Sequence, residues 1–271
     1  MTDYNDQHYQ EIMQRIRGLR LIDDVFMTVC FDGNIEGAQL LLSIILDRDD
    51  LTVTEVKAQK VMKNLKGRDV WLDILATDKE GALYNVEVQR ADAGADKKRA
   101  RYHSSMLDSN MLAHGEEWAD IRESYVIFIT ENDVLGLNKP IYHIDRYISE
   151  CDYLPFNDGE HIIYVNGAMK GSDTALAKLM SDFFCTEAKD MNYKALSEKV
   201  RYFKESEKGV ERMFDSLEDM RNEVWNESKN ATRIETALKM LAGGKLSLED
   251  IASYSGLPLD KVRELAEAKT A

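Results

Sequence analysis

The sequence predicts a mixed α/β fold, an α+β arrangement around a mixed sheet, that ends in a helical tail. Apolar residues recur at helical spacing from residue 8 to about residue 48, and strand-like alternation dominates from Thr52 to Phe128. Beyond Ser172 the chain has a helical pattern throughout. The order of helices, antiparallel strands, one helix and a further strand is typical of one mixed α/β domain followed by helices.

Composition and charge narrow the function classes. The 271 residues include 35 Lys and Arg against 49 Asp and Glu, a formal net charge of −14, which argues against a nonspecific nucleic-acid binder. No apolar run approaches the roughly 18 residues of a membrane helix, and Asp3 and Asp6 stand where a signal peptide would be basic. We therefore expect a cytoplasmic protein with no membrane partner. Three scattered cysteines and five histidines argue against a disulfide framework and a Cys/His zinc site.

The N-terminal segment predicts two or three helices. Leu21, Val25 and Val29 lie on one helical stripe, and a second stripe occupies residues 35–45. Asn34 directly precedes that second stripe and is a residue type that begins helices.

The central segment predicts a sheet with one helix inserted. The predicted strands are Val53–Gln59, Asp69–Thr77, Ala82–Arg90 and Ser124–Thr130, with shorter candidates at Ile141–Tyr147 and His161–Val165. Between the third and fourth strands, Asp96–Gly115 carries a helical apolar stripe, and Gly115 is the predicted stop.

The second and third predicted strands are joined by a tight turn, and their apolar pattern selects the pairing register. A two-residue loop at Lys79–Glu80 would place apolar residues opposite polar ones. A three-residue loop, with Gly81 in the left-handed conformation, gives one consistently apolar side. The pairs across the hairpin are then Leu72 with Val88, Ile74 with Val86 and Ala76 with Tyr84.

On the other side of the hairpin, the same register places Asp73 directly opposite Glu87, with β-carbons about 5 Å apart. Like charges in this position repel, and a divalent cation would remove the conflict. Mg²⁺ and Mn²⁺ accept carboxylate oxygens together with a backbone carbonyl and waters. The alternative is the solvent face of an antiparallel sheet, where polar residues alternate by default.

Basic residues are concentrated around this hairpin. Residues 51–105 contain eleven Lys and Arg against eight Asp and Glu, although the whole chain is acidic. Two runs without any acid, Lys57–Arg68 and Lys97–Arg101, bracket the carboxylates. Each run alone is typical of a solvated surface. Together with the carboxylates they favour a phosphate-bearing substrate.

An acid on one strand followed by Glu-X-Gln on the next resembles the signature of the PD-(D/E)XK nuclease superfamily. The chain is most similar to its transposase-like group, the recombination-promoting nucleases called PD-(D/E)XK nuclease family transposases. The stretches that carry the resemblance are Asp24–Phe31, Arg68–Gln89, Arg99–Met106, Ser124–Thr130 and Val200–Glu205.

The resemblance implies a restriction-endonuclease-like core that hydrolyses DNA with Mg²⁺ or Mn²⁺. Asp73, Glu87 and Gln89 would be the catalytic residues. By the motif match, Asp73 and Glu87 would hold the metal and the backbone carbonyl of Val88 would complete its site. Gln89 stands where much of the superfamily has Lys, although the transposase-like group also carries Gln. A neutral amide can orient water or phosphate but supplies no charge.

Other residues are candidates for accessory roles. The missing charge could come from Lys98 or Arg101 at the start of the next helix. A further acid could come from Asp24 or Glu36, for which an ordinary surface or capping role is the alternative. His103 is expected to be a packed or surface helix residue.

We therefore expect a metal-dependent DNA endonuclease of the recombination-promoting or transposase-associated type. The alternative is a catalytically weak or inactive relative that acts as a binding or regulatory module, which Gln89 and the acidic charge favour. Double-strand cutting calls for two sites, so a homodimer is consistent with this function. The residues expected to contact DNA are Lys57, Lys60, Lys63, Lys66, Arg68, Lys97, Lys98 and Arg99.

The chain is predicted to divide into a nuclease-like core at residues 1–170, a helical extension at 171–230 and a small helix-turn-helix-like segment at 231–271. In that last segment, Gly256 suits the turn and Pro258 suits the first turn of a second helix. The second helix, Leu259–Lys269, has no net charge, which favours packing or protein contact over DNA reading.

Overall fold

The computed structural model describes residues 2–64, 68–244 and 246–270 of the chain. The chain divides into two compact units between Phe214 and Asp215. The first unit contains a six-stranded mixed sheet with helices, and the second is helical. This architecture confirms the predicted α/β fold class, while the predicted three-part domain division stays a prediction.

Three helices open the first unit: α1 (Thr2–Gly18), α2 (Asp24–Phe31) and α3 (Ile35–Leu46). Asn34 caps α3 as predicted, because its side-chain Oδ1 accepts the Gly37 N–H at 3.1 Å. Within the described residues, no single helix is both long and apolar enough to cross a membrane, and α2 with α3 meets that test only as a pair bent by 114°.

The main sheet has the strand order β1-β2-β3-β4-β8-β5. Its strands are β1 (Val53–Met62), β2 (Val70–Asp78), β3 (Leu83–Gln89), β4 (Ser124–Thr130), β5 (Ile141–Ile144) and β8 (Glu160–Asn166), while β6 (Tyr147–Ile148) and β7 (Leu154–Pro155) form a separate pair. Neighbours are antiparallel from β1 to β3, parallel from β3 through β4 to β8, and antiparallel between β8 and β5.

Helices cover both faces of the sheet. Val86 on β3 faces α2 and α3, and the parallel register places Ile127 of β4 beside it. Phe128, the next residue along β4, therefore points to the opposite face. There α4 (Lys97–Ser109) packs on β4 and β8, with Ala100, Leu107 and Phe128 in one core cluster. Helices α5 (Ala175–Phe184) and α6 (Lys194–Glu205) pack against α2 and α3.

Two predicted elements were too long. Helix α4 ends at Ser109 and not at Gly115, because the Asn110 side chain donates to the Met106 carbonyl at 2.8 Å and closes the last turn. Strand β5 ends at Ile144, because the chain then leaves the sheet to form the β6–β7 pair.

The second unit contains the remainder of α7 (Glu207–Gly243), then α8 (Leu248–Ser255) and α9 (Leu259–Thr270). Gly256 has a φ of +70° and ends α8, in agreement with its predicted role in the turn. On α9, Lys261 pairs with Glu264 and Arg263 pairs with Asp260. The expectation of packing over DNA reading for this segment stays a prediction.

Lys204 joins α6 to two other segments of the first unit, the end of α1 with the residues that follow it and the loop after α5. Its Nζ donates to the carbonyls of Arg17, Leu19 and Thr186 at 2.9, 2.5 and 2.6 Å. The ammonium also lies 5.2 Å from the centre of the Phe26 ring. Burial lowers the pKa of Lys204 below the ordinary value of a lysine. The three carbonyls therefore replace much of the hydration that the ammonium has lost.

Lys204→Met keeps the apolar stem and leaves the three carbonyls without this donor. We expect the free energy of unfolding to fall by about 2–4 kcal/mol, because an unpaired buried acceptor costs roughly 1–3 kcal/mol. Urea denaturation followed by circular dichroism measures the change. Lys208→Met, at an exposed position on the next helix, is the matched control and should change stability by no more than about 0.5 kcal/mol. Equal midpoints for the two variants would contradict the proposed tie.

Candidate functional site

Over residues 74–77 of β2, the β2–β3 hairpin has the register that the apolar pattern predicted. The predicted pair of Leu72 with Val88 lies outside this ladder, and Leu72 packs in the core cluster under α4. Ile74 pairs with Val86 and Ala76 with Tyr84. Gly81 has a φ of +84°, the left-handed conformation that the three-residue loop requires. Asp73 and Glu87 are the next pair along this register.

From Asp73 and Glu87 onward, away from the turn, hydrogen bonds to side chains replace the backbone hydrogen bonds between β2 and β3. The Val88 N–H donates to Asp73 Oδ2 at 3.0 Å, and the Asp73 N–H donates to Glu87 Oε1 at 3.3 Å. Each carboxylate therefore accepts a hydrogen bond from the backbone of the opposite strand. This exchange holds the two carboxylates beside one another where the strands separate.

Glu87 is completely buried and its charge is balanced by Arg99 on α4. The exposed fraction of the Glu87 side chain is 0%, and Arg99 Nη2 lies 2.9 Å from its Oε2. Arg99 Nη1 donates to the Gly94 carbonyl at 2.8 Å, and the guanidinium lies 5.7 Å from the centre of the Phe128 ring. Asp96 caps α4 by accepting the Arg99 N–H, so the helix begins with this arginine directed at β3. The pair satisfies the requirement that a buried charge be matched.

Two more acidic groups share this electrostatic environment. Burial, followed by the charges of Glu87 and Asp24, raises the pKa of Asp73 well above its ordinary value. Burial and then the charge of Glu87 also raise the pKa of Asp24 at the start of α2, against smaller opposite effects of Thr28 and Arg99. Asp24 keeps an accessible surface even though protein atoms desolvate its carboxyl. Three carboxylates thus lie in the field of one guanidinium.

His103 and Asn85 complete the buried polar group. Arg99 Nε donates to His103 Nε2 at 3.3 Å, and His103 Nδ1 lies 3.5 Å from Glu87 Oε1. The Asn85 amide lies 3.1 Å from His103 Nδ1. His103 is packed, as expected. Its neighbours, however, include the polar side chains of the site, so it does not lie in a purely apolar core.

Gln89 lies against Gly94, next to Arg99. A β-carbon at position 94 would lie 1.9 Å from Gln89 Oε1 and 3.6 Å from Arg99 Nη1. Glycine at this position therefore lets the Gln89 amide and the Arg99 guanidinium approach the same point. The Gln89 amide and the Arg99 guanidinium are therefore neighbours.

Some of the residues predicted for the site lie away from Asp73 and Glu87. Lys98 and Arg101 on α4 and Glu36 on α3 are exposed, and no described contact links them to the carboxylates. The cation that does reach the cluster is Arg99, which the sequence reasoning assigned only to DNA contact. The side-chain amide of Gln89 and the backbone carbonyl of Val88 keep their roles as predictions.

The basic residues expected to contact DNA are mainly at the surface. Lys57, Lys60 and Lys63 are exposed on or beside the edge strand β1, and Arg68, Lys97 and Lys98 are also exposed. Two of these cations have acidic partners, since Lys57 lies 2.8 Å from Glu55 and Lys63 lies 2.7 Å from Asp69. Lys66 lies outside the described residues.

Sequence spacing contained a signal for the missed residues. Asn85, Glu87 and Gln89 alternate along β3, so all three lie on one face of the strand. Arg99 and His103 are four residues apart and share one face of α4. A strand and a helix that each present a polar stripe are expected to pair those stripes when they pack.

The donor chemistry of the site fits a divalent cation. Within the part of the chain that the structure describes, no three or more His, Cys, Asp or Glu side chains are arranged ready to hold a metal ion. Asp73, Glu87 and Asp24 nevertheless offer the hard oxygen ligands that Mg²⁺ and Mn²⁺ prefer. Burial first, and then repulsion between the carboxylates, raises the pKa values of Asp73 and Asp24. A bound cation would relieve that repulsion, since the combined charge of the three carboxylates exceeds that of Arg99.

A comparison with protein families identifies a match over most of the chain. The model of the PD-(D/E)XK nuclease family transposases matches residues 33–250. The matched range includes Asp73, Glu87, Gln89 and Arg99, and it leaves Asp24 outside. No curated protein and no solved structure matches the chain.

Asp73→Asn should stabilise the metal-free protein. The substitution removes a buried charge from the repulsion of Glu87 and Asp24, and the amide oxygen can still accept the Val88 N–H. We expect a gain on the order of 1 kcal/mol in the free energy of unfolding, measured by urea denaturation in EDTA. Asp69→Asn is the control, because Asp69 accepts from Lys63 and the backbone of Asn64 outside the cluster. A lower stability for Asp73→Asn than for this control would show that the carboxylate is not under repulsion.

Proposed function

The chain belongs to the PD-(D/E)XK nuclease family transposases, and from that premise we propose that it is a metal-dependent endonuclease that hydrolyses phosphodiester bonds in DNA. The observation that carries the proposal is the reciprocal bonding of Asp73 and Glu87, which brings two oxygen donors together beside the Arg99 guanidinium. A purely structural hairpin has no need of two acids at this point.

The residues of the site divide the chemistry between them. The chemistry that Mg²⁺ or Mn²⁺ would supply when bound is polarisation of the phosphate and a lower pKa for an attacking water. Asp73 and Glu87 are the proposed metal ligands, with the Val88 carbonyl as a further donor. Asp24 is the preferred third acid over Glu36, because its carboxyl interacts with Asp73 and Glu87. These groups would hold the metal ion, and not the phosphate itself, at the carboxyl end of β3.

Gln89 and Arg99 share the role that a strand lysine has in much of the superfamily. Gln89 would orient the water or the phosphate through its neutral amide. Arg99 would supply the positive charge that stabilises the transition state, because an arginine is charged at any working pH and can form two parallel hydrogen bonds to phosphate. Its position beside Gln89 at Gly94 supports this division.

The rival function is a weakly active or inactive binding module. Two observations favour it: Gln89 is neutral, and Arg99 is already engaged with Glu87. The homodimer, the cytoplasmic location and the association with recombination stay predictions of the sequence.

Cleavage of supercoiled plasmid tests the proposal. With Mg²⁺ or Mn²⁺ the wild-type protein should nick or linearise the plasmid. Asp73→Asn and Glu87→Gln should each lower the rate by more than the roughly 10- to 100-fold typical of losing an outer-shell partner of a metal site. Glu36→Gln is the matched control, because it removes an exposed acid outside the cluster, and it should cut like the wild type. If the wild-type protein does not cleave the plasmid, or if both site variants cleave it at the wild-type rate, the binding module is favoured.

A second series tests the source of the positive charge. Arg99→Gln should lower the cleavage rate by about 10²- to 10³-fold, the range seen for loss of one stabilising donor. Arg99→Lys should lose less, because it keeps the charge but not the planar fork. Gln89→Lys in the Arg99→Gln background should recover part of the rate.

Thermal melts control this series, because Arg99→Gln also leaves Glu87 without its cation and is expected to lower stability. Rates are compared only at temperatures where every variant is folded. If Arg99→Gln cleaves DNA at the wild-type rate, Arg99 does not supply the positive charge that stabilises the transition state.

A further inference from the structure

The protonation of His103 follows from its neighbours. A neutral imidazole has one N–H donor and one acceptor nitrogen. Arg99 Nε can only donate, so His103 Nε2, 3.3 Å away, is the acceptor. The ring proton is therefore on Nδ1. A doubly protonated ring would place the Nε2–H directly against the Arg99 N–H.

This tautomer fixes the orientation of the Asn85 amide. In the structure the Asn85 amide nitrogen lies 3.1 Å from His103 Nδ1. A protonated Nδ1 cannot accept from that nitrogen, so this tautomer requires the amide to be turned by 180°, with its oxygen toward the ring. In the opposite orientation, Asn85 Oδ1 is the buried side-chain atom that lacks a partner within the described residues. Turned toward His103, the oxygen accepts the Nδ1–H, and the amide nitrogen takes the unpartnered position.

The same N–H also faces the buried glutamate. His103 Nδ1 lies 3.5 Å from Glu87 Oε1, which also accepts the Asp73 N–H at 3.3 Å. Glu87 Oε2 accepts from Arg99 at 2.9 Å. Each oxygen of the Glu87 carboxylate thus faces donors from a different direction, and the carboxylate is restrained against rotation.

We propose that His103 is a positioning residue that acts through Glu87. This role rests on the proposed function, in which Glu87 is a metal ligand. His103 holds Glu87 in its ligand orientation by presenting an Nδ1–H to Glu87 Oε1 and to the Asn85 oxygen. Arg99 fixes the tautomer of the ring through its contact with Nε2. Glu87 and His103 are both buried, with exposed fractions of 0% and 4%. The ring does not touch the reacting atoms in this arrangement and serves as a rigid donor.

The tautomer is measurable in the metal-free protein without any activity. In ¹⁵N-histidine-labelled protein, two-bond ¹H–¹⁵N correlations distinguish an Nδ1–H ring from an Nε2–H ring. The chain has five histidines, and the signals of His103 are those that disappear in His103→Asn. We expect the Nδ1–H pattern for His103. An Nε2–H pattern would overturn the proposal, because the ring would then present an acceptor to Glu87.

Conservative variants test the effect on Glu87 through Mn²⁺ affinity, measured by electron paramagnetic resonance of free Mn²⁺. The side-chain amide of Asn can place its N–H near the Nδ1 position, while that of Gln reaches the Nε2 position. We expect His103→Asn to bind Mn²⁺ within about threefold of the wild type. His103→Gln and His103→Leu should bind about 10- to 100-fold more weakly, the range for loss of an outer partner. His114→Leu, at an exposed position after α4, should bind like the wild type.

The outcomes separate this proposal from the proposed function. Equal Mn²⁺ affinity of the Asn, Gln and Leu variants would overturn the positioning role and leave the metal site intact. A wild-type protein that binds no Mn²⁺ would contradict the proposed function, and the positioning role would fail with it. If His103→Leu does not fold, the comparison of Asn with Gln decides, because both are polar and similar in size.

Discussion

The burial of Glu87 is the constraint on which the rest of the site depends. An ionised carboxylate taken out of water costs several kcal/mol unless charged and hydrogen-bonded partners replace its hydration. Here the partners are the Arg99 guanidinium and the Asp73 backbone N–H. Since Arg99 and His103 must both face β3, Glu87 also determines how α4 is rotated on the sheet. The need of this one buried carboxylate for partners therefore affects how the whole of α4 packs on the sheet.

The backbone is irregular on both sides of Asp73. Toward β3 the ladder gives way to side-chain hydrogen bonds. Toward β1, Gln59 lies between the pairs Ala58–Ile74 and Lys60–Leu72 and has a φ of +49°, an uncommon conformation for a residue other than glycine. Strained backbone of this kind tends to occur at functional sites. The sheet therefore departs from regular geometry at the residue that the proposed chemistry requires.

The sequence could predict the hairpin but not the full set of its partners. Alternation of apolar residues and the single glycine in the loop determined the register, because a slip by one residue would reverse every side chain. The cation from α4 was different, because the sequence suggested Lys98 or Arg101 and the structure places Arg99 beside Glu87. The choice of cation depends on how α4 is rotated, which the partners of Glu87 and the packing of Ala100 and Leu107 determine together. The preference for Asp24 over Glu36 likewise depends on long-range placement of α2 that no local pattern encodes.

In the proposed chemistry, the neutral residue at position 89 changes which element would deliver positive charge. A lysine there would be attached to the strand that carries Glu87, so charge and ligand would move together. With Gln89, the cation comes from α4, and Gly94 keeps the space in which the Arg99 guanidinium and the Gln89 amide meet. The distance between Arg99 and the carboxylates then depends on the docking of α4. That docking also buries Met106 and Leu107. A change in the packing of α4 on the sheet would therefore also change the electrostatics of the site.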